Sequence, residues 1–503
     1  MAGALADAAC AAGRGADTAI RYLGETYSYA ALAERQDRAG GALRSLDVAP
    51  GDRVALIQAD GPDFVATFLG ALKIGAIPVP LSTFAQPEEL AFMLRDCGAR
   101  VAVVDADQLP AIGPDRLHAP ALRAVVVTGP DLDARLVAAG PVHVPAATGP
   151  DDMCFWQYSS GTTGAPKAVI HLHRRALFPA EAHGRRVVGL RSDDRVYSVA
   201  KLFFSYGLNN SLVIPLAVGA SVVLDAGRFV ADAAWTVIGR ERPTVLYAVP
   251  TAFAALLAAA ESGGPADSAS LRLCVSAGEA LPGPLASRWM RRFGVPILDG
   301  IGSTEIGYIA VSNTLADIRP GSVGRPVPGY EAKVADADGA AVADGEAGTL
   351  WVRGGSTARA YHDRPERTAA AFRDDWVVTG DRFRVDDGHF FHLGRDDDML
   401  KVAGQWVSPV EVEAAIAAHP AVLESAVVGR PDTDGLVKPL AYVVPKDPGS
   451  AGDALAGELA EFLATRLAGY KRPHWIELVP ELPKTSTGKV QRYRLRDGAG
   501  TCS

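Results

Sequence analysis

The chain has 503 residues, 48% of them apolar and 21% charged, which corresponds to about three domain-sized units of an ordinary folded protein. A chain this apolar buries enough surface to offset its ordering entropy, so disorder is excluded as its main state. Acidic side chains outnumber basic ones, 58 to 50, for a net charge of −8. That argues against a nucleic-acid binder, which needs a concentrated positive surface, but not against a small anionic substrate.

In chain order, the first 300 or so residues alternate strand-like and helix-like stretches. RVALIQ at Arg53–Gln58 reads as a buried strand, and Gly61–Lys73 carries apolar residues at helical spacing. VAVVD (Val101–Asp105) and RAVVV (Arg123–Val127) are short β-branched runs. The stretch 129–150 is rich in Pro and Gly and reads as a surface loop. His171 and His173 alternate along IHLHR, which predicts both on one side of a strand. With no third ligand nearby, packing or solvent contact is the reading there, not metal. VLYAV (Val245–Val249) and LRLCVSA (Leu271–Ala277) repeat the pattern, each followed by a helical segment.

From about Ile318 to Leu393, Gly and Asp turns separate short alternating strands such as GTLWVRG and HFFHLGR, which predicts a β-rich subdomain. After Arg395 a small unit begins. SPVEVEAAIAAH is a helix with Ser408 as N-cap and Pro409 in its first turn. ESAVVG and LAYVVP are strands, and Ala454–Leu467 is a helix. The predicted fold class is α/β: an N-terminal domain, 1–394, of two parallel-type sheets with a β-rich subdomain, then a small α+β C-terminal domain, 397–503.

No window approaches about 18 continuous apolar residues, so no membrane span is expected. The start, MAGALADAAC, lacks a basic leader and reads as an ordinary N-terminus. Cys10, Cys97, Cys154, Cys274 and Cys502 are scattered without zinc spacing, so free thiols in a reducing cytoplasm are expected. Lysine is scarce, ten against forty Arg. Five of the ten (Lys167, Lys401, Lys471, Lys484 and Lys489) fall in the segments singled out for function.

The strongest of these is Ser159–Lys167, SSGTTGAPK, directly after the strand-like CFWQY. Glycine lets backbone N–H groups approach phosphate oxygens, hydroxyls add donors, and an ammonium neutralises charge. It is not a Walker loop, because Pro166 precedes Lys167 and no Ser or Thr follows it. DGIGSTE (Asp299–Glu305) places Thr304 beside Glu305, and a lone carboxylate next to a phosphate site suits Mg²⁺. TGD (Thr379–Asp381) puts a carboxylate on a tight turn, where it can accept both hydroxyls of a ribose. In GRDDDMLK three successive acids do not easily converge on one ion, and their place between two composition zones suggests a hinge. PKTSTGKVQR (Pro483–Arg492) is basic and hydroxyl-rich. Taken singly, each has a plainer reading as a flexible turn, a polar turn or a solvated tail.

Together with AGEALP (Ala277–Pro282), these segments occur in one order at wide spacing. In that combination the chain resembles the adenylate-forming superfamily of acyl-CoA synthetases, adenylation domains and luciferases over nearly its whole length. KLFFSYGLNNSL (Lys201–Leu212), SAGEALP, DGIGSTE and DDMLKVAGQWVSPVEVE look most like benzoate-CoA ligases.

The resemblance implies two half-reactions: a carboxylate attacks the α-phosphorus of ATP, then a thiol attacks the acyl adenylate. Ser159, Ser160, Gly161, Thr162, Thr163, Gly164 and Lys167 would grip the β- and γ-phosphates. Thr304 would touch the α-phosphate and Glu305 would hold Mg²⁺. Ala277, Gly278 and Glu279, with Asp299, Gly300, Ile301 and Gly302, would line the nucleotide site. Ile301 stands where many relatives place an aromatic ring against adenine. Asp381 and Arg395 would hold the ribose. Lys489 would reach over from a mobile C-terminal lid to the reacting oxygens. Asp397 would be the hinge, and rotation there would bring Lys401 and Gly404 to the thiol channel.

By the same likeness Phe203, Ser205, Tyr206 and Gly207, with Gly302, Ile306, Gly307 and Tyr308 opposite, would form the acyl pocket. Benzoate-CoA ligases carry alanine at the position of Ser205 and a leucine–histidine pair at Gly307–Tyr308. The added hydroxyls of Ser205 and Tyr308 suggest a substituted benzoate or cinnamate. The expected cofactors are ATP, Mg²⁺ and CoA. The alternative acceptor is phosphopantetheine on a separate carrier protein, because no attachment segment for it is present in this chain. A luciferase-like oxidoreductase and a non-catalytic nucleotide-binding module are rival classes. A cytoplasmic monomer or homodimer is expected, with neither nucleic acid nor membrane as partner.

Overall fold

The computed structural model describes residues 1–112, 119–159, 166–402, 405–433, 436–447, 449, 452–484 and 490–496. Strands Arg53–Ile57, Ile77–Pro80, Ala99–Val104 and Ala124–Val127 form a four-stranded, wholly parallel sheet. Helix Pro62–Lys73 follows the first of them, with Pro62 in its first turn. Its Phe64, Phe68, Leu69 and Leu72 are buried, with Phe64 and Phe68 stacked one turn apart. The helical spacing in the sequence thus becomes a packing face.

A nine-stranded sheet forms the centre of the larger body. Its inner strands Thr18–Tyr22, Ser221–Leu224, Arg195–Ser198, Val245–Ala248, Leu273–Ser276 and Ile297–Gly302 pair in parallel. Antiparallel strands close both edges. Near-continuous Val, Leu and Ile runs are what a sheet covered on both faces requires. The β-rich expectation for 318–393 holds: Tyr330–Ala335, Ala347–Gly354, Trp376–Asp386 and His389–Arg395 are antiparallel neighbours.

Two local expectations need correction. The 129–150 stretch is not all loop, since Pro130–Ala138 is a helix. Gly129 (φ 94) and Pro130 start it, and Leu132 and Leu136 bury one face. Its Pro and Gly are boundary residues and do not break the helix. His171 and His173 do not share a strand face either. The strand Lys167–Leu172 ends first, and His173 opens a short helix. His171 lies stacked on Phe155, and burial pushes its pKa down to about 3, so it is a neutral packing group.

Beyond Arg395 a separate core forms. Helix Pro409–Ala417, capped by Ser408 through the Glu411 amide, and helix Asp453–Ala464 cover strands Val422–Pro431, Val437–Pro445 and Trp475–Leu478. Val412, Ile416, Val427, Ala441, Val443 and Leu459 fill it. This unit meets the larger body at helices Pro250–Glu261 and Gly283–Phe293. There Lys446 Nζ lies 3.7 Å from Glu261, which also accepts from Arg288 at 2.5 Å. No helix among the described residues is long and apolar enough to cross a membrane.

Candidate active site

Strands Met153–Ser159 and Lys167–Leu172 form an antiparallel pair whose register sets Ser159 opposite Lys167. The connecting residues Ser160, Gly161, Thr162, Thr163 and Gly164 lie outside the described residues. At the open end Ser159 Oγ donates to Glu305 Oε1 at 3.1 Å. The Tyr361 hydroxyl donates to the same oxygen at 2.8 Å. Tyr361 comes from the strand Ala360–Tyr361, paired with the Lys167 strand through Val169. Burial lowers the Lys167 pKa, Glu305 opposes that, and the nearby Arg367 and Arg395 lower it further. Three cations therefore gather beside one carboxylate, a field that favours a polyphosphate. Tyr361, which touches both Glu305 and Lys167, is a residue at this place that the motifs did not mark.

Thr304 and Glu305 sit in the turn after strand Ile297–Gly302. The Ile306 amide donates to Ser303 Oγ at 3.2 Å, the Gly307 amide to Ser303 O at 2.9 Å, and the Ala358 amide to Glu305 O at 2.8 Å. Gly300 and Ile301 are held by pairing with Ser312 and Val311. Asp299 turns its carboxyl toward the Leu281 amide, 3.4 Å away, and burial pushes its pKa up to about 7. It therefore ties DGIGSTE to AGEALP. In that second segment Ala277 is buried and Gly278 has φ 95. Glu279 carries charge close enough to influence Arg492, whose pKa is raised by Glu413 first, then by Asp398 and Glu279. Arg492 is held within the C-terminal unit by Glu413, from which its Nη2 is 2.8 Å. Lys489, three residues earlier, lies outside the described residues.

Asp381 and Arg395 are cross-strand partners, and Arg395 Nη1 donates to Asp381 Oδ1 at 3.3 Å. Arg395 Nε is buried without a hydrogen-bond partner in the protein, which a sugar or phosphate oxygen would satisfy. No group of three or more His, Cys, Asp or Glu able to hold a metal exists among the described residues. A single carboxylate with hydroxyls beside a phosphate site still fits Mg²⁺, which is bound through one or two carboxylates plus substrate phosphates.

The segment Lys201–Gly207 is anchored at its start: Lys201 Nζ donates to Asp225 O at 2.5 Å and the Leu202 amide to Asp60 Oδ1 at 2.8 Å. Ser205 Oγ and Asn209 Nδ2 both donate to Gly307 O, at 3.3 and 3.0 Å, which joins the two expected walls of the acyl pocket. Tyr206 is half-buried and donates to Val275 O at 3.0 Å. Three of the expected lining residues are packed into the interior. Phe203 lies edge-on to Phe84, Ile306 is buried, and the buried Tyr308 donates its hydroxyl to Asn210 Oδ1 at 2.5 Å. The Tyr308 hydroxyl is therefore taken up by Asn210 and does not add the polarity expected of it. Gly207 and Gly307 are required by close approach. A Cβ would meet Lys201 O at 2.0 Å and Ser356 O at 2.4 Å respectively. Of the two residues expected at a thiol channel, Lys401 is exposed with its ammonium 5.7 Å from the Trp406 ring centre, and Gly404 lies outside the described residues.

Lys167, Arg367 and Arg395 thus gather around Glu305, and the Asp381–Arg395 pair stands at the same place. The chain matches the AMP-binding enzyme family over residues 7–362 and the AMP-binding enzyme C-terminal domain over residues 411–489, and it belongs to that family. It is 47% identical to a benzoate–CoA ligase of Thauera aromatica, over 96% of this chain and 93% of that protein. It is 41% identical to a 4-hydroxybenzoate–CoA/benzoate–CoA ligase of Rhodopseudomonas palustris, over 97% of this chain and 92% of the relative. Among solved structures, an anthranilate CoA ligase in complex with anthranoyl-AMP superposes with a TM-score of 0.96 at 40% identity, covering 99% of this chain and 97% of the other.

Proposed function

We propose that the protein is an ATP-dependent, AMP-forming ligase that joins an aromatic carboxylic acid of the benzoate type to CoA. The observation that carries this is the convergence of Ser159 and Lys167, facing each other on one strand pair, with Glu305, which comes from a turn 146 positions after Ser159, beside the contact of Ser205 with Gly307 that joins the two expected acyl walls.

In the first step a carboxylate oxygen attacks the α-phosphorus. A C–O–P link forms, the α–β phosphoanhydride bond breaks, and pyrophosphate leaves with the electron pair. The protein's work is positioning and charge neutralisation. Lys167 and the Ser159–Gly164 loop hold the leaving phosphates, Thr304 orients the α-phosphate, and Asp381 with Arg395 fixes the sugar. Mg²⁺, when bound at Glu305, neutralises phosphate charge. Two anions that meet at ~4 Å in a site of effective dielectric ~20 repel by about 4 kcal/mol. Lys489 from the C-terminal unit is the cation assigned to remove that barrier. In the second step the thiol, having lost its proton, attacks the acyl carbon and AMP leaves. Rotation at Asp397 withdraws Lys489 and presents Lys401 and Gly404, so one pocket serves both reactions.

ATP–pyrophosphate exchange across a panel of substituted benzoates and cinnamates tests the reading. Exchange that depends on the added acid supports it, and exchange absent with every aromatic acid refutes it.

A further inference from the structure

Tyr361 bridges the two charged side chains at the phosphate end of the site. Lys167 Nζ lies 3.5 Å from the Tyr361 oxygen and 4.4 Å from its ring centre, so the hydroxyl accepts from the ammonium. The same hydroxyl donates to Glu305 Oε1 at 2.8 Å. Lys167 and Glu305 are not paired directly among the described ion pairs, although each feels the other's charge. Opposite charges in a partly desolvated site attract strongly. Without a spacer they would close on each other, and incoming phosphate and metal would first have to pull them apart.

The ring that carries this hydroxyl is rigidly held. It meets Phe372 edge-on at 5.5 Å, and the Tyr361 amide donates to Thr368 Oγ1 at 3.1 Å. Burial, then Glu305, pushes the phenol pKa well up, so the proton that Glu305 receives stays on Tyr361. Ser159 Oγ donates to the same Oε1. Two hydroxyls on one oxygen fix the rotation of the carboxylate and leave Oε2 to meet a cation.

We propose that Tyr361 is a positioning residue: its hydroxyl holds Lys167 and Glu305 apart and aimed, and so sets the concentration of magnesium the enzyme needs. The inference rests on the reading of Glu305 as the metal-facing carboxylate. It concerns how the site is kept open, which the motif residues alone do not explain.

Tyr361→Phe keeps the ring and removes the bridge. The expected result is an about tenfold rise in the Mg²⁺ concentration that half-saturates ATP–pyrophosphate exchange, the scale of one hydrogen bond to a charged group. Calorimetric binding of α,β-methylene-ATP weakens by a similar factor in Mg²⁺ but changes less than about twofold in EDTA. KM for the aryl acid and the melting temperature stay within error. A Mg²⁺ midpoint and analogue affinity equal to those of the parent overturn the proposal. Glu305→Gln separates the two ideas. If it raises the Mg²⁺ requirement while Tyr361→Phe does not, only the bridge is wrong; if neither variant does, the metal-facing role of Glu305 is wrong and the bridge falls with it.

Discussion

Asp396 and Asp398 stand two positions apart and are anchored to different bodies of the protein. Asp396 Oδ2 accepts from Thr349 Oγ1 at 3.2 Å and lies 3.5 Å from Arg382, both on the β-rich subdomain. Asp398 pairs with Arg492, 3.7 Å away, and with Arg496, both on the C-terminal unit. Asp397 is the residue between the two anchors. A pivot needs fixed ends and one backbone position free to change its dihedrals.

Asp397→Pro locks φ near −65° at that position. The variant should keep acid-dependent ATP–pyrophosphate exchange and lose thioester formation by at least about tenfold. Single-turnover formation of CoA ester from a supplied acyl adenylate is the direct measurement, and an unaltered rate removes the hinge from Asp397.

Lys489→Ala should give the mirror image. Loss of the ammonium restores a repulsion of about 4 kcal/mol between the reacting anions, or about a thousandfold in rate. Thioester formation from the supplied adenylate should be spared. Equal losses in both half-reactions contradict the assignment.

Gly207→Ala adds a carbon that would lie 2.0 Å from Lys201 O. The segment from Lys201 must shift, at about 1–3 kcal/mol. Melting curves should show the destabilisation. Kinetics should show a rise in aryl acid KM with ATP KM little changed if Gly207 stands in the acyl wall as proposed.

Ser205→Ala removes a hydroxyl at the junction of the proposed acyl walls, where it donates to Gly307 O at 3.3 Å. Its lone pairs can still accept from a hydroxy or amino substituent on the ring. The variant should lose about tenfold in kcat/KM for such acids relative to plain benzoate. A preference unchanged across the panel refutes a polar reading at this position.

Asp60 gives a pH test. Burial pushes its pKa from 3.8 up to about 7, against the opposing pull of Lys201 and the Leu202 amide, with Asp225 adding to the rise. The folded state then binds more protons than the unfolded one between pH 3.8 and about 7. This carboxyl's stability contribution is full below pH 3.8 and is lost as pH rises through about 7. Asp60→Asn keeps an acceptor for Leu202 without the titration. Its stability relative to the parent should therefore rise with pH across that window and level off above it, as read by denaturant midpoints at a series of pH values.

The α/β class, the β-rich stretch and the small C-terminal unit were legible because hydrophobic period and turn residues are local properties. Ser159, Lys167 and Glu305 stood out as candidates by residue type within short motifs, and the fold brings the three together. Tyr361 was not legible. Its place depends on pairing of Ala360–Tyr361 with Ile170 and Val169, a contact between residues almost 200 positions apart. Tyr308 misled for the opposite reason. A hydroxyl visible in the sequence is absorbed by Asn210, and only packing reveals that. His173 misled because strand alternation was extended one residue past the point where the backbone turns helical.

Arg395 is both the partner of Asp381 and the last strand residue before Asp397, the proposed pivot. If the C-terminal unit swings as proposed, a sugar seated there would load the final rigid link of the body that it turns against. Departure of spent nucleotide and the return stroke would then be two ends of one lever, so the enzyme could not easily reset while AMP is still in place.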